Sequence, residues 1–480
     1  MKTKILLSHI KRKALNSLMI VTLCAPTILS SSTVLAEETT PVSQETPTAT
    51  TETTTETASS TNTAETSPSQ EPQTTAPAIT ETTRSTSQDE ETPTQVKAAA
   101  AAEDNVTIPD AALKQEILNA LQLPAGTELT KADMEKLTSL FLNSANAAAI
   151  TNLSGLETAI NLSTFYLNTN NGITDFSPLE QLTSLTFVTI QTSSLTSGNF
   201  PDLSKNQGLT NLSLGSTSID NAVLPKIAPL AQLKRLYLDS NMAITTIEPL
   251  KNMPNLSSLS VQFCGITDFT VIKSFPALID LAATGQNTGR YDAPTDIGRS
   301  SLAYNEEAQT VFIPFEMMPN RLTNFDGFVP KFTTSNSASN TYFDFNGVQL
   351  PSTRLQITDQ GITVSGVTEE EYKQINSFEY NARLNNPAGS YAKPEGFNFY
   401  AISAGTYLHQ FNVYDDGAPI TVRYLDEEGN ALAEEKKLTG FVGKSYEVTA
   451  ETIPTYQVAS VEGSPSGKFT ESEQNNYVYL

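Results

Sequence analysis

Seven short segments repeat an apolar-x-apolar core at nearly constant spacing, and this period restricts the possible folds more than any other feature. They are Leu140/Leu142, Phe165/Leu167, Val188/Ile190, Leu212/Leu214, Leu236/Leu238, Leu259/Val261 and Leu281/Ala283. The steps between first members are 25, 23, 24, 24, 23 and 22 residues. Such a period marks stacked units, because neither a helix nor an isolated hairpin generates it. Within each core the side-chain period is two, so the two apolar residues point one way and the residue between them points the other. The remainder, as in Ile244-Thr-Thr-Ile247-Glu-Pro-Leu250-Lys-Asn-Met253-Pro-Asn-Leu256, must turn back in short helical or extended pieces. One unit cannot bury its own apolar row, but a stack of them builds a continuous core. Three residues past each core stand Ala145, Asn170, Ser193, Thr217, Asn241, Cys264 and Gln286, mostly small and polar. They are suited to satisfying backbone groups where the chain turns, which gives Cys264 a structural place.

The phrases Ile173-Thr-Asp-Phe-Ser-Pro-Leu179 and Ile266-Thr-Asp-Phe-Thr-Val-Ile272 resemble the repeat of internalin-like leucine-rich-repeat surface proteins of Gram-positive bacteria. The resemblance covers about residues 134–287. It implies a leucine-rich-repeat solenoid of α/β class that binds another macromolecule on its concave sheet face. Ahead of it, Ile108-Pro-Asp-Ala-Ala-Leu113-Lys-Gln-Glu-Ile117-Leu118-Asn-Ala-Leu121 has helical periodicity, with Asp110 as N-cap. This resembles the family's helical N-terminal cap and is assigned to 103–133. An array of this kind needs a cap, since its first unit otherwise exposes an apolar edge.

From 288 to 416 short β-like runs replace the repeat, with turn signals at Asn346-Gly347 and Gln360-Gly361. An all-β, Ig-like sandwich is expected there. Residues 417–480 carry Val422-Arg-Tyr424-Leu-Asp426-Glu-Glu-Gly429-Asn430, then Leu438-Thr-Gly440-Phe-Val-Gly443-Lys-Ser-Tyr446, Ile453-Pro-Thr-Tyr456 and Gly467-Lys-Phe469. That order resembles the MucBP (mucin-binding-protein) repeat, a small β-rich domain. The family's name implies mucin as a partner, but many such repeats serve mainly as spacers, and the spacer role leads here with mucin binding as the alternative.

At the other end, Lys2, Lys4, Lys11, Arg12 and Lys13 precede an apolar stretch from Leu15 to Leu29 and a Val34-Leu35-Ala36 cleavage pattern. Residues 1–36 therefore read as a secretory signal, with an uncleaved membrane anchor as the alternative. Residues 37–102 are rich in Thr, Glu, Ser and Pro, lack core-forming side chains and are expected to be disordered. Loss of the signal takes the net charge from −23 to −28, which argues against a nucleic-acid partner. Only Cys264 and His409 then remain of their kinds, so no intramolecular disulfide, multi-histidine metal site or paired thiol chemistry is expected. Gly443-Lys444-Ser445 imitates the end of a phosphate loop, but Leu438 stands where that motif needs glycine. Leu123-Pro-Ala-Gly-Thr127 and Leu350-Pro-Ser-Thr-Arg354 are scrambled or broken sorting phrases, so no covalent wall anchor is visible.

Together these features describe a non-enzymatic, secreted or cell-surface binding protein of the adhesin or host-interaction type, without cofactor, metal or small-molecule substrate. Its expected partner is a host surface protein or a glycan, mucin included. The alternative is a structural component of the producer's own envelope, docked on wall polymer or sister proteins. Outward positions in and beside the repeat strands nominate Phe141, Tyr166, Phe187, Arg235, Tyr237, Asp239, Gln262 and Asp280 as partner-binding residues. Aromatic side chains and arginine are the types that anchor interfaces.

Overall fold

In the computed structural model, which describes residues 104–479, the seven repeat cores form parallel strands of one sheet. They are β1 (Ser139–Leu142), β2 (Thr164–Asn168), β3 (Phe187–Gln191), β4 (Asn211–Ser213), β5 (Arg235–Tyr237), β6 (Ser258–Ser260) and β7 (Asp280–Ala282). Leu140, Phe165, Val188, Leu212, Leu236, Leu259 and Leu281 lie in register across it, each no more than 1% exposed. Burying one such side chain contributes ~1.5–3 kcal/mol, so the row is the main stabilising feature of the array. The return segments are short 3-10 turns such as Ser177–Gln181 and Glu248–Leu250. Pro178 and Pro249 sit in their first turns, where the missing N–H has no intrahelical partner to lose.

A side-chain ladder seals the turns after the later strands. Asn241 Nδ2 donates to the carbonyls of Leu214 (2.8 Å) and Leu238 (2.9 Å), and Thr217 Oγ1 donates to Asn241 Oδ1 at 2.8 Å. Gln286 Nε2 donates to Val261 O at 2.6 Å, and its Oε1 accepts from Ile266 N at 2.9 Å. Buried Cys264 occupies the rung between them, its Sγ 3.2 Å from Leu238 O. Burial pushes its thiol up to about 12, which makes it a weak donor and an unreactive nucleophile.

Ahead of β1 lies helix α1 (Ala111–Ala120), which buries Leu113, Ile117 and Leu118 and packs against that strand. Asp110 Oδ1 accepts from the amides of Ala112 and Leu113, both at 3.0 Å. These bonds occupy two of the donors that a helix start leaves open.

After the repeats, two mainly antiparallel sheets share the same continuous apolar core as the array. One contains Ala303–Asn305, Thr310–Pro314, Leu355–Ile357 and Gly361–Ser365, while the other is built on Thr341–Phe345, Ser377–Asn385 and Thr406–Tyr414. Aromatic rings fill the interior, among them Phe315, Phe332, Phe343, Phe378, Tyr380 and Phe411. Asn346 and Gly347 both have positive φ, 52° and 77°, and turn the chain into the edge strand Val348–Gln349. Both central residues of a type I′ hairpin turn need that conformation.

This domain also returns one strand to the repeats. Phe399–Ala401 pairs in parallel with β7, with Tyr400 opposite Leu281, and becomes the eighth strand of the sheet. Residues from Ile420 onward form a separate small β unit, whose cores are centred on Val422 with Tyr424 and on Ile420, Tyr446 and Phe469.

Candidate binding face

Parallel registry sorts the eight nominated residues into three sets on one side of the sheet. Phe141, Tyr166 and Tyr237 share a row, with Thr189 and Ser213 between the two tyrosines. Phe187, Arg235 and Asp280 share the next row, separated by Asn211 and Ser258. Asp239 and Gln262 follow just past β5 and β6. Strands stand ~4.8 Å apart, so Arg235 and Asp280 are roughly 10 Å from one another.

Part of this face is bound up in its own structure. Asp239 Oδ1 accepts from Ser260 Oγ at 2.6 Å and from Gln262 N at 2.7 Å. Burial pushes the Asp239 carboxyl up, against the downward pull of these two bonds. Thr284 Oγ1 in turn donates to Gln262 Oε1 at 2.8 Å. Tyr166 is half-buried, accepts from Asn168 Nδ2 at 3.0 Å and meets the Phe141 ring at 5.8 Å. Asp239, Gln262 and Tyr166 therefore tie neighbouring chain segments together, while Phe141 is 55% exposed at the start of the sheet.

The middle of the face is different. Among the described residues, the side chains of Arg235, Tyr237 and Asp280 have no hydrogen-bond or ion-pair partner. Arg235 and Tyr237 are exposed, with Tyr237 at 37%. Their neighbours in register are small, Asn211 and Ser213 on β4, Ser258 and Ser260 on β6. The pair consequently stands clear of its surroundings. Beside it, Asn211 Oδ1 is buried with no donor, an unusual condition for a polar atom. Nothing in the residue pattern distinguished Asn211 from the other small polar positions, because its lack of a partner is a property of the packed sheet.

Other chemistry-bearing residues are occupied structurally. His409 is 1% exposed with Nε2 2.8 Å from Thr295 Oγ1, and burial lowers its affinity for a proton. Lys444, the lysine of the phosphate-loop imitation, pairs with Asp296 at 2.9 Å and lies 4.2 Å over the Tyr414 ring. A cleft of about 530 Å³ includes Asp268, Asn320 and Arg321 in its lining. Arg321 donates to Pro330 O at 2.6 Å and packs on Phe332. No group of three or more His, Cys, Asp or Glu among the described residues could hold a metal ion. No described helix is long and apolar enough to cross a membrane.

Comparison with known proteins places these parts in context. Residues 302–413 match the family described as Internalin K domain D2, and residues 419–480 match the MucBP domain. Internalin J of Listeria monocytogenes serotype 4b is 30% identical over 158 residues, which are 31% of this chain and 16% of that protein. Internalin I of Listeria monocytogenes serovar 1/2a is 47% identical over 55 residues, 12% of this chain and 3% of that protein. The chain thus spans less than a fifth of the length of these curated relatives. Among solved structures, internalin C2 of Listeria monocytogenes has 25% identity and a TM-score of 0.32, over 40% of this chain and 84% of that one. The two family matches and the curated relatives thus show internalin-like and MucBP features in this chain, beside repeats of leucine-rich-repeat phase and period.

Proposed function

We propose that this chain is a secreted or surface-held, non-enzymatic binding protein that recognises a host protein through the outward face of its repeat sheet. The observation that carries the reading is the exposed Arg235–Tyr237 pair, unengaged and flanked by small residues. Arginine and tyrosine are enriched among residues that dominate binding energy, and a pair already clear of its neighbours loses few contacts when a partner arrives. Phe141, Phe187 and Asp280 extend the contact area. Asp239, Gln262 and Tyr166 contribute by holding the face in shape as well as by touching the partner.

In this reading residues 103–133 are the helical cap, 134–287 the recognition array and 288–416 an Ig-like domain that covers its far end. The MucBP domain at 417–480 supplies a second contact, for which mucin is the candidate its name suggests. The test is saturation binding of the full chain to a panel of purified host-cell surface proteins, mucin and the producer's own cell wall. Binding to a host protein that falls at least tenfold in Arg235→Gln and Tyr237→Ala, with unchanged melting, supports the reading. Binding to wall alone, indifferent to both substitutions, contradicts it.

A further inference from the structure

The sheet face does not stop where the repeats stop. Phe399 lies in register with Asp280, Ser258, Arg235, Asn211 and Phe187, although it belongs to the domain after the repeats. Register partners in a sheet project to the same side. Tyr400 points to the core and is 8% exposed, whereas Phe399 is 51% exposed. Phe399 N and Asn398 N both donate to Ile279 O, which fixes the Phe399 backbone at the start of β7. An exposed aromatic residue thus stands in register beside Asp280, whose carboxylate is unpaired. The unpaired Arg235 guanidinium lies two strands further, roughly 10 Å away.

We infer that Phe399 is a binding residue, and that the recognition site crosses from the repeats into the following domain. The partner it fits is a protein segment that presents a carboxylate to Arg235 and an apolar side chain to Phe399. Charge complementarity selects that partner. Arg235 makes no ion pair among the described residues, on a face that also carries Phe187, Tyr237, Asp280 and small hydroxyl and amide side chains, so an acidic group is what pairs with it. A basic group on the segment, placed toward the apolar end, meets Asp280. Phe399 and Arg235 stand three strand spacings apart, roughly 14 Å, a gap that an extended peptide bridges with side chains four or five residues apart. Phe399 is also held on a backbone paired to β7, so little ordering remains to be done on binding.

This inference rests on the sheet-face reading and is tested so that the two fail separately. A random peptide library displayed on phage is selected against the full chain, and the dominant peptide is synthesised and titrated. The expected peptides carry Asp or Glu a few residues from an aromatic or aliphatic residue. Arg235→Gln and Phe399→Ser each weaken the synthetic peptide about tenfold, while Val348→Thr on the remote edge strand leaves it unchanged. Melting temperatures of all variants identify any that is merely misfolded, and Phe399→Leu restores affinity if apolar area is what matters. A peptide sensitive to Arg235→Gln but not to Phe399→Ser confines the site to the repeats and overturns this inference alone. Selected peptides indifferent to Arg235→Gln, Tyr237→Ala and Phe399→Ser overturn the sheet-face reading with it. Failure to enrich any acidic-apolar peptide counts against the proposed partner chemistry.

Discussion

Asp110 Oδ2 accepts the backbone amide of Thr151 at 2.8 Å, while its other oxygen caps α1. One carboxylate thereby fastens the leading helix to the return segment of the first repeat. Burial pushes its proton affinity up, but bonds from Thr151, Leu113 and Asn152 outweigh this and hold the carboxyl below the usual aspartate range.

Asp110→Ala is expected to cost ~1–2 kcal/mol, the ordinary loss for an N-cap. Because the folded-state pKa is lowered, the contribution is complete above the unfolded value near about 3.9 and is lost as pH falls through the folded value. A melting series from pH 6 to 2 should show a shallower acid limb for Asp110→Asn than for the wild type. Parallel limbs would mean that Asp110 carries no differential charge stabilisation.

His409 should act at higher pH. Burial in the aromatic interior lowers its pKa, and nearby Asp292 only partly compensates. The unfolded chain therefore takes up a proton first. Stability is complete above about pH 6.5 and declines as pH falls below it. Melting between pH 7.5 and 5 should show that decline in the wild type and a flatter profile in His409→Gln, whatever the variant's overall stability.

The turn ladder makes a prediction about single rungs. Asn241→Ala strips the Leu214 and Leu238 carbonyls of a donor and the Thr217 amide and hydroxyl of an acceptor. Leaving buried groups unpaired costs ~1–3 kcal/mol, to be measured by urea unfolding. Cys264, with its thiol pushed up to about 12, should resist a thiol reagent in the native protein and react once unfolded. Rapid native labelling would contradict its place as a rung.

Lys444 joins the final domain to its predecessor through Asp296 and Tyr414, beside the stacked rings of Tyr414 and Phe441. Lys444→Ala should speed proteolysis near Asp415–Gly417 and leave the repeat array intact. Since this ion pair is partly exposed, salt should mimic the substitution in the wild type. Equal cleavage rates for the two proteins would exclude such a latch.

How far these features were readable in the chain follows from where their causes lie. The buried row from Leu140 to Leu281 repeats because every unit meets the same geometric demand, so spacing alone exposed it. The Asn346-Gly347 turn was readable for a similar local reason, as two adjacent positive φ values favour those residue types. Phe399–Ala401 offered no comparable signal, because its pairing partner lies far back in the chain and only the tertiary fold brings them together. Asp239 and Gln262 were nominated by their outward positions, yet their bonds to Ser260 and Thr284 depend on cross-strand neighbours that no period encodes. The engagement of Lys444 is hidden for the same reason, since Asp296 lies on a distant strand.

The central claim is that the unengaged middle of the sheet face binds the partner. Its most direct test is titration of the full chain, wild type and Arg235→Gln/Tyr237→Ala, against the host protein that scores highest in the binding panel. The expected result is at least a tenfold rise in Kd, with melting temperature unchanged. Equal affinity of the correctly folded double variant would place the binding surface elsewhere on the molecule.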